Sequence, residues 1–327
     1  MDLASVFAEP LVDLGGETPQ FAGVYAPRNT LGAAKVGVTS QFLENAEHYH
    51  RAYFDTGYWN FLLGNALTAA RIAEAPRRII DIGSGSGNSV IPLADRFPDA
   101  EIVATDISPQ LLAILRDFLR RRPEGDRRFG LVCVDAMEAS YRPEVADLAV
   151  GAAILHHILD PDRVLAACRR ALAPGGWAIF FEPFESGNAL LKFTYRRILA
   201  EASAAERASP GLSFIERMVE DYKRRERPRS DPIYRDLDDK WMFTRTYFDR
   251  LRAEQGWAEL VTYALNVSPT GLRDQAVVHL RLGAGLAADA LPSWAWAVID
   301  EADSSLSDDL RRELAQEGAV LLRKPTH

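Results

Sequence analysis

The amino-acid sequence predicts a doubly wound α/β fold, in which helices cover both faces of an open, mostly parallel sheet. Three observations support this prediction. Between residues 78 and 181, five short apolar runs alternate with segments of helical periodicity. Glycine and proline residues lie at the boundaries between these segments. A glycine-rich loop follows the first apolar run, where sheets of this kind bind their ligands.

The five predicted strands are short and apolar, which is typical of strands buried on both faces. They cover Arg78–Ile82, Glu101–Thr105, Leu131–Val134, Ala146–Val150 and Trp177–Phe181. Between them, Ser108-Pro109 and Asp160-Pro161 each predict the start of a helix, because Ser or Asp caps the N-terminus and Pro suits the first turn. Strands that alternate with helices pair in parallel, so we expect one sheet with helices on both faces.

Two further strands, near Leu260–Leu265 and Gln275–Leu282, bring the predicted sheet to seven strands. The interval from about residue 185 to residue 240 interrupts the alternation, is charged and has a helical pattern, so we expect an insertion there. We therefore divide the chain into three parts. These are an N-terminal arm and helical cap (1–74), a sheet domain with a lid or substrate insertion at about 185–240 (75–282), and a C-terminal appendage (283–327).

The composition is that of a globular enzyme, with 47% hydrophobic and 26% charged residues in 327. A net charge of −8 argues against nucleic acid as the main partner, because phosphate binding needs concentrated positive charge. The longest apolar run, Leu148–Leu159, is too short to cross a bilayer, so no membrane association is expected. Two cysteines without metal-site spacing favour a reduced, cytoplasmic setting and no metal site. The oligomeric state is not predicted, and a homodimer is one possibility.

The sharpest motif is the glycine loop Asp81-Ile82-Gly83-Ser84-Gly85-Ser86-Gly87, between the first predicted strand and its helix. Glycines let the backbone turn tightly there and approach a ligand closely. The dinucleotide fingerprint G-x-G-x-x-G would place its third glycine at position 88, which is Asn88 here. An acid just before the glycines suits an ammonium group better than a pyrophosphate. A P-loop is excluded because no Gly-Lys-Ser/Thr follows.

Two more acids end the second and third predicted strands. Asp106, 19 residues after Gly87, can accept hydrogen bonds from both ribose hydroxyls of a nucleoside. Asp135 can accept one from an adenine amino group. Acids at three successive strand ends favour a ligand that has an amine and a ribose but no phosphates. S-adenosylmethionine has these groups.

Together with Leu155-His156-His157 and Ala173-Pro174-Gly175-Gly176, these motifs resemble class I S-adenosylmethionine-dependent methyltransferases, clearly over about residues 75–182 and more weakly over 240–282. The resemblance implies a Rossmann-like fold with the glycine loop along the methionine part of the cofactor. It implies that Asp106 binds the ribose, while Asp135 and the backbone at Ala136 recognise the adenine. The full implied cofactor set is Asp81, Gly83, Ser84, Gly85, Gly87, Asp106, Ile107, Asp135, Ala136, Met137, Gly151 and Ala152.

His156 and His157 follow the fourth predicted strand and are the candidate catalytic residues. Methyl transfer to a hydroxyl benefits from a general base, and histidine suits that role near neutral pH. Alternatively, His156 packs under the sheet and His157 only lines the cofactor site. The Asn/Asp-Pro-Pro-Tyr/Phe motif of adenine and glutamine-amide methyltransferases is absent after the fourth strand. We therefore expect a small-molecule acceptor, methylated at oxygen rather than nitrogen or carbon, in secondary metabolite biosynthesis.

Two aromatic groups could cover the site. The first group could form a lid over cofactor and substrate: Tyr49, Tyr53, Phe54, Tyr58, Trp59 and Phe61. The second group lies in the insertion and could line an acceptor pocket: Phe193, Tyr195, Phe214, Met218 and Tyr222. Aromatic residues at helical spacing also occur in ordinary helix cores, which is the competing interpretation. Three other functions stay open at this point. They are a cofactor-binding enzyme with non-methylating chemistry such as cyclisation, an NAD-dependent oxidoreductase, and a methyltransferase that acts on macromolecules.

Overall fold

The computed structural model describes residues 1–28, 45–72, 74–123 and 125–327. These residues form two compact units. The first unit contains Met1–Glu182, Arg245–Val261 and Ala319–His327, and the second contains Pro183–Thr244 and Thr262–Gly318. Among the helices of the described ranges, none is long and apolar enough to cross a membrane.

The described strands are β1 (Leu11–Asp13), β2 (Val24–Pro27), β3 (Arg78–Ile82), β4 (Glu101–Asp106), β5 (Phe129–Cys133), β6 (Ala146–Ala152), β7 (Leu172–Pro183), β8 (Glu259–Ala264) and β9 (Glu317–Arg323). The described α-helices are α1 (Ala46–Tyr53), α2 (Thr56–Ala69), α3 (Val90–Arg96), α4 (Pro109–Leu119), α5 (Pro161–Ala171), α6 (Glu185–Glu201), α7 (Ala204–Arg207), α8 (Pro210–Arg225), α9 (Arg245–Gln255), α10 (Gly271–Ala284), α11 (Ser293–Ser304) and α12 (Asp308–Glu313). Short 3-10 helices cover Leu3–Ser5, Leu14–Gly16, Pro19–Phe21, Leu155–His157, Pro232–Arg235 and Ala288–Ala290.

The described strands form one sheet in the order β1-β2-β5-β4-β3-β6-β7-β9-β8. Neighbours from β2 to β7 pair in parallel, and β1 pairs antiparallel to β2. The chain builds β3, β4 and β5 in one direction and then returns to add β6 and β7 on the other side of β3. This reversal makes the carboxyl end of β3 the place where such a sheet binds its ligand. The predicted Rossmann-like, mostly parallel α/β fold is confirmed.

The helix starts in the first unit follow the predicted capping rules. The hydroxyl of Ser108 accepts a hydrogen bond from the N–H of Leu111 at the start of α4, and the carboxylate of Asp160 accepts one from the N–H of Arg163 at the start of α5. Pro follows each cap at the first helical position. These two helices therefore begin where the sequence placed them, which fixes the loops that follow β4 and β6.

The predicted count of seven strands was wrong, because the described residues form nine. Two extra strands, β1 and β2, come from the N-terminal arm, and β9 comes from the segment assigned to the C-terminal appendage. Residues 318–322 are all buried, a continuous apolar run typical of a strand covered on both faces.

The segment Gln275–Leu282, predicted as a strand, lies in the helix α10. Its β-branched pair Val277-Val278 suggested a strand, but the buried residues Leu272, Ala276 and Leu280 recur every four positions. That spacing places them on one helix face. Gly285, with a φ of +65°, ends the helix in the left-handed conformation that favours glycine.

The second unit is helical around one hydrophobic core. Leu191, Tyr195 and Ile198 of α6, Leu212 and Ile215 of α8, and residues of α10 and α11 form this core. Three α-helices, α6, α7 and α8, lie in the interval from residue 185 to residue 240, whose role as an insertion stays a prediction. The three-part division at residues 74/75 and 282/283 stays a prediction.

Candidate active site

The glycine loop connects β3 to α3, and its glycines serve different purposes. Gly87 has a φ of +109°, and a Cβ added there would lie 2.6 Å from Cδ1 of Leu115, so both conformation and packing require glycine. Gly85 also has a positive φ, +52°, but no described heavy atom would come within 4 Å of an added Cβ. The backbone at Gly85 therefore borders open space, as a loop that contacts a ligand must.

Asp81 lies at the carboxyl end of β3 and is fully buried. Neither carboxylate oxygen has a hydrogen-bond partner among the described residues. Burial raises the pKa of Asp81 from 3.8 to about 7, and the hydroxyls of Ser84 and Ser89 oppose this only partly, without completing a hydrogen bond to it. A buried carboxylate without partners is costly to the protein. It is the arrangement expected of a site that binds a cation such as an ammonium group.

Asp106 ends β4 and joins this strand to the glycine loop. Its Oδ2 accepts a hydrogen bond from the N–H of Gly85 at 2.8 Å, and its Oδ1 accepts one from the N–H of Ser108 at 2.8 Å. Burial raises the pKa of Asp106, and these backbone donors oppose the rise. The structure thus brings Asp106 next to Gly85, as the sequence predicted for a nucleoside-binding acid.

Asp135 follows β5, the strand that pairs with β4 on the side away from β3. Its Oδ1 accepts a hydrogen bond from the N–H of Met137 at 2.9 Å, which shapes the turn that contains Ala136. Burial raises the pKa of Asp135. Ile107, Ala136 and Met137 are half-buried. The three predicted acids therefore lie at the carboxyl ends of three adjacent strands.

Gly151 and Ala152 end β6, on the other side of β3. Gly151 pairs with Ile82, and a Cβ at Gly151 would lie 2.4 Å from the ring of Phe180, so packing in the sheet requires this glycine. A small cavity borders the glycine loop. It is lined by Ala152 and by residues in or next to the loop and α1: Tyr49, Tyr53, Phe54, Gly83, Ser84, Gly85, Ser86, Asn88 and Ser89. Half of the predicted lid aromatics thus face the loop.

The helix α1 and the turn that follows it are hydrogen-bonded to the glycine loop and to Asn88 just after it. Nδ1 of His50 lies 2.8 Å from Oγ of Ser86. Asn88 accepts a hydrogen bond from the N–H of Asp55 at 2.9 Å and donates one to the carbonyl of Tyr53 at 3.0 Å. Sequence reasoning missed His50 and used Asn88 only to exclude a dinucleotide site. The other three predicted lid residues do not line this cavity. Trp59 packs against Phe181, whereas Tyr58 and Phe61 are exposed.

We expect Asn88→Ala to weaken S-adenosylmethionine binding several-fold, with a melting temperature within a few degrees of the parent. The substitution removes two side-chain hydrogen bonds that fasten the α1–α2 turn to the loop, each contributing ~1 kcal/mol. Calorimetric titration with the cofactor checks this. Asn266→Ala, which removes a loop hydrogen bond in the second unit, is the matched control and should bind as the parent does. Equal affinity of all three proteins would contradict the role of Asn88.

The histidine pair lies in the 3-10 helix that follows β6. His156 is buried, and its ring centroid lies 4.0 Å from that of His157. Nδ1 of His156 is 2.7 Å from Oε2 of Glu182, a fully buried residue near the end of β7. Oε1 of Glu182 accepts hydrogen bonds from the N–H groups of Ile154 and Leu155, and Oε2 accepts one from the N–H of His156. Sequence reasoning missed Glu182, although a charged residue directly after the run Ile179-Phe180-Phe181 was a signal.

The aromatic residues predicted to line an acceptor pocket occupy other environments. Tyr195, Phe214 and Tyr222 are buried in the core of the second unit, and Met218 packs against that core. Phe193 is 59% exposed. The predicted pocket was wrong for Tyr195, Phe214 and Tyr222, because their helical spacing is that of a buried helix face.

The central part of the chain is similar to known proteins. Residues 80–180 match a family profile described as a methyltransferase domain. This part of the chain is therefore similar to methyltransferase domains, and we refer to it as the methyltransferase domain. It extends from β3 into β7 and so contains the glycine loop, the three acids and both histidines. The sequence resemblance to class I S-adenosylmethionine-dependent methyltransferases is confirmed.

Two curated relatives of the methyltransferase domain are similar over about a third of this chain. Trans-aconitate 2-methyltransferase of Methylobacterium radiotolerans is 41% identical over 104 residues, which are 32% of this chain and 36% of that protein. Malonyl-[acyl-carrier protein] O-methyltransferase of Geobacter sulfurreducens is 35% identical over 125 residues, which are 38% of this chain and 45% of that protein. The aligned segments span less than half the length of either relative.

A solved structure extends the likeness beyond the methyltransferase domain. Phosphoethanolamine N-methyltransferase 2 of Haemonchus contortus, solved with phosphomonomethylethanolamine and S-adenosylhomocysteine, superimposes with a TM-score of 0.51. The match covers 86% of this chain and 57% of that one at 17% identity. At this identity the likeness shows a shared fold.

Proposed function

We propose that this protein transfers the methyl group of S-adenosylmethionine to a small-molecule acceptor. The observation that carries the proposal is the buried, unpartnered carboxylate of Asp81 beside the open backbone of Gly85, within a methyltransferase domain. An ammonium group would satisfy that carboxylate. The amino acid part of S-adenosylmethionine has an ammonium group, whereas the phosphates of NAD would add negative charge beside it.

The remaining cofactor contacts follow from the strand ends. We propose that Asp106 accepts hydrogen bonds from the ribose, and that the turn after Asp135 receives the adenine between Ile107 and Met137. The backbone from Gly83 to Gly87, with that of Gly151 and Ala152, would border the methionine part. The chemistry of these residues supports the assignment, because they offer carboxylates and backbone groups, and none of them carries the positive charge that phosphates favour.

S-adenosylmethionine supplies a methyl carbon that its sulfonium has already activated for displacement. The protein therefore has to align the acceptor atom with that carbon, exclude water and take up a proton. Alignment alone can supply a large share of the rate acceleration. We propose that one residue of the histidine pair takes the proton from the acceptor hydroxyl.

The acceptor is proposed to be a small molecule methylated at oxygen, in secondary metabolite biosynthesis. The name of the Geobacter relative specifies an O-methyltransferase, and the net charge of −8 argues against nucleic acid. The two cysteines, both free, support a reduced cytoplasmic setting. A homodimer remains an open proposal that sedimentation of the purified protein would test.

Two measurements test this function. In thermal-shift assays of the full chain, S-adenosylmethionine and S-adenosylhomocysteine should raise the melting temperature, and NADH should not. Incubation with S-adenosylmethionine and a panel of phenols, alcohols and carboxylic acids should then release S-adenosylhomocysteine with at least one acceptor. Stabilisation by NADH alone would point to the oxidoreductase alternative. Product formation that needs S-adenosylmethionine but releases no S-adenosylhomocysteine would point to non-methylating chemistry.

A further inference from the structure

A cavity of about 620 Å³ lies beside the first strands of the sheet, away from the glycine loop. It is lined by residues from the segments 1–11, 23–25 and 116–131 and by Arg142, and we call it the arm cavity. All of these residues belong to the first unit, and the volume is typical of small-molecule sites. We propose that the arm cavity binds an organic anion with an apolar body, a ligand distinct from the cofactor and the methyl acceptor. The proposal does not depend on methyl transfer.

The arm cavity and the proposed cofactor site lie at opposite ends of β5. Phe129 and Leu131, among the first three residues of this strand, line the arm cavity, whereas Asp135 follows its other end. From Phe129 to Cys133 the strand rises roughly 13 Å, at about 3.3 Å per residue. The arm cavity also shares no lining residue with the cavity beside the glycine loop. Because open parallel sheets bind their cofactor at the carboxyl ends of the strands, the arm cavity is a second site.

Backbone hydrogen bonds hold the side of the arm cavity that the N-terminal segment forms. The N–H of Arg142 donates a hydrogen bond to the carbonyl of Val6 at 2.8 Å. The N–H of Ala8 donates one to the carbonyl of Ser140, also at 2.8 Å. This side of the cavity is therefore a fixed part of the first unit.

One part of the lining of the arm cavity is apolar. Phe7, Phe129 and Leu131 are buried. Leu11 and Tyr25 are half-buried. These side chains favour the aromatic or aliphatic body of a ligand, because its burial removes apolar surface from water.

Three arginines give the lining available positive charge. Nε of Arg120 donates to Asp126 at 3.0 Å, and Nε of Arg142 donates to two backbone carbonyls. The terminal nitrogens of both have no hydrogen-bond partner among the described residues, and the guanidinium of Arg127 has none there either. The fourth arginine, Arg116, is already bonded to an acid and to backbone carbonyls. Guanidinium groups bind oxyanions through paired N–H donors, so the three available groups suit the anionic part of a ligand.

The acids of the lining offset this positive charge only in part. Asp126 is paired with Arg120, and Asp2 accepts a hydrogen bond from the N–H of Ala4 at 3.0 Å. Glu9, which is half-buried, is the one lining acid without a hydrogen-bond partner among the described residues. Three available guanidinium groups against one available carboxylate favour an anionic ligand over a cationic one.

Fluorescence titration of the full chain with anilinonaphthalene sulfonate, an aromatic anion, tests the proposal. Phenylnaphthylamine has the same ring system without the sulfonate and is the neutral control. We expect one site that binds the anion about tenfold more tightly than the neutral compound, because hydrogen bonds to charged groups are added. Saturating S-adenosylhomocysteine should leave both affinities unchanged. Equal binding of the two probes, or displacement of the anion by S-adenosylhomocysteine, would overturn the proposal.

Ala8→Trp tests whether the probe binds in the arm cavity. Ala8 is exposed and lines this cavity, so an indole at position 8 would take up part of its volume. We expect the affinity for anilinonaphthalene sulfonate to fall by about tenfold or more, because the bulky side chain competes for the space of the probe. Ala253→Trp, at an exposed alanine of α9 in the same unit, is the matched control and should bind as the parent does. Undiminished binding by Ala8→Trp would place the probe elsewhere and contradict the assignment.

Charge variants give a second readout with opposite signs. Arg120→Gln/Arg127→Gln should weaken binding of the anion by about fivefold, whereas Glu9→Gln should strengthen it by about twofold, as is typical of partly exposed charge pairs. The control Arg51→Gln/Arg121→Gln removes two exposed arginines of the same unit that do not line the cavity, so it changes the net charge equally and should bind as the parent does. A similar loss of affinity in both arginine pairs, or weaker binding by Glu9→Gln, would overturn the proposal.

Discussion

Replacing Asp81 by Asn should weaken S-adenosylmethionine binding by about two to three orders of magnitude. The buried carboxylate has no partner among the described residues, so the proposed ammonium group of the cofactor would be its main counter-charge. Removing one member of a buried, hydrogen-bonded charge pair costs ~2–5 kcal/mol, which corresponds to roughly 30-fold to several thousand-fold in Kd. Titration calorimetry of the two proteins with S-adenosylmethionine measures the difference directly.

The same substitution should stabilise the ligand-free protein at pH 8. In the unfolded chain Asp81 releases its proton near pH 3.8, but in the folded protein only near pH 7. Between these values the folded state binds more protons, so the free energy of unfolding falls as the pH rises. The shift corresponds to a loss of up to ~4 kcal/mol by pH 8, which Asn cannot incur because it does not titrate. Urea unfolding at pH 5 and pH 8 measures this difference.

Asp99→Asn is the matched control, because Asp99 is an exposed acid in the same unit, just before β4. It should change neither cofactor affinity nor the pH dependence of unfolding. Asp81→Asn is expected to weaken cofactor binding but to stabilise the ligand-free protein at pH 8. If Asp81 served only the stability of the fold, its substitution would instead destabilise the protein. A destabilised ligand-free Asp81→Asn protein with normal cofactor affinity would contradict the assignment.

Replacing His156 by Ala should lower kcat by a factor of about 10² to 10⁴ and leave cofactor affinity nearly unchanged. The buried ring is held by Glu182 at the carboxyl end of β6, where the proposed acceptor would lie. Loss of a general base removes an interaction that operates only in the transition state. Release of S-adenosylhomocysteine, measured against acceptor concentration, separates kcat from KM.

His157→Ala separates the two members of the histidine pair. The ring of His157 lies beside that of His156, whereas the ring of His156 is bonded directly to the buried Glu182, so we expect the loss of His156 to cost more. His48→Ala, an exposed histidine on α1, should behave as the parent does. If His156→Ala kept full activity and His157→Ala lost it, the proton acceptor would be His157.

Much of the candidate site could be predicted from the sequence because its residues lie close together along the chain. Asp81 and the glycine loop are one continuous segment, and Asp106 and Asp135 each end a run that is apolar enough to be recognised as a strand. Parallel pairing then brings the strand ends together without further information. The hydrogen bond between Asp106 and the N–H of Gly85 follows from that arrangement.

The residues that sequence reasoning missed depend on contacts between distant segments. Glu182 lies in β7, 26 residues from His156, and neither side chain has a motif that predicts the pair. His50 and Ser86 are 36 residues apart. In both cases packing of helices and strands decides which polar groups meet. No spacing in the sequence encodes that result.

The fold class, the glycine loop and the acids at the strand ends could be predicted without a structure, because periodicity and capping are local properties of the chain. Tertiary structure decided the strand count, since a strand such as β9 exists only where a neighbouring strand satisfies its backbone hydrogen bonds. It also decided that Gln275–Leu282 is helical, because burial of one face outweighs the local β preference of two valines. Above all, it decided that the carboxylate of Asp81 has no hydrogen-bond partner among the described residues, whereas that of Glu182 accepts three backbone hydrogen bonds.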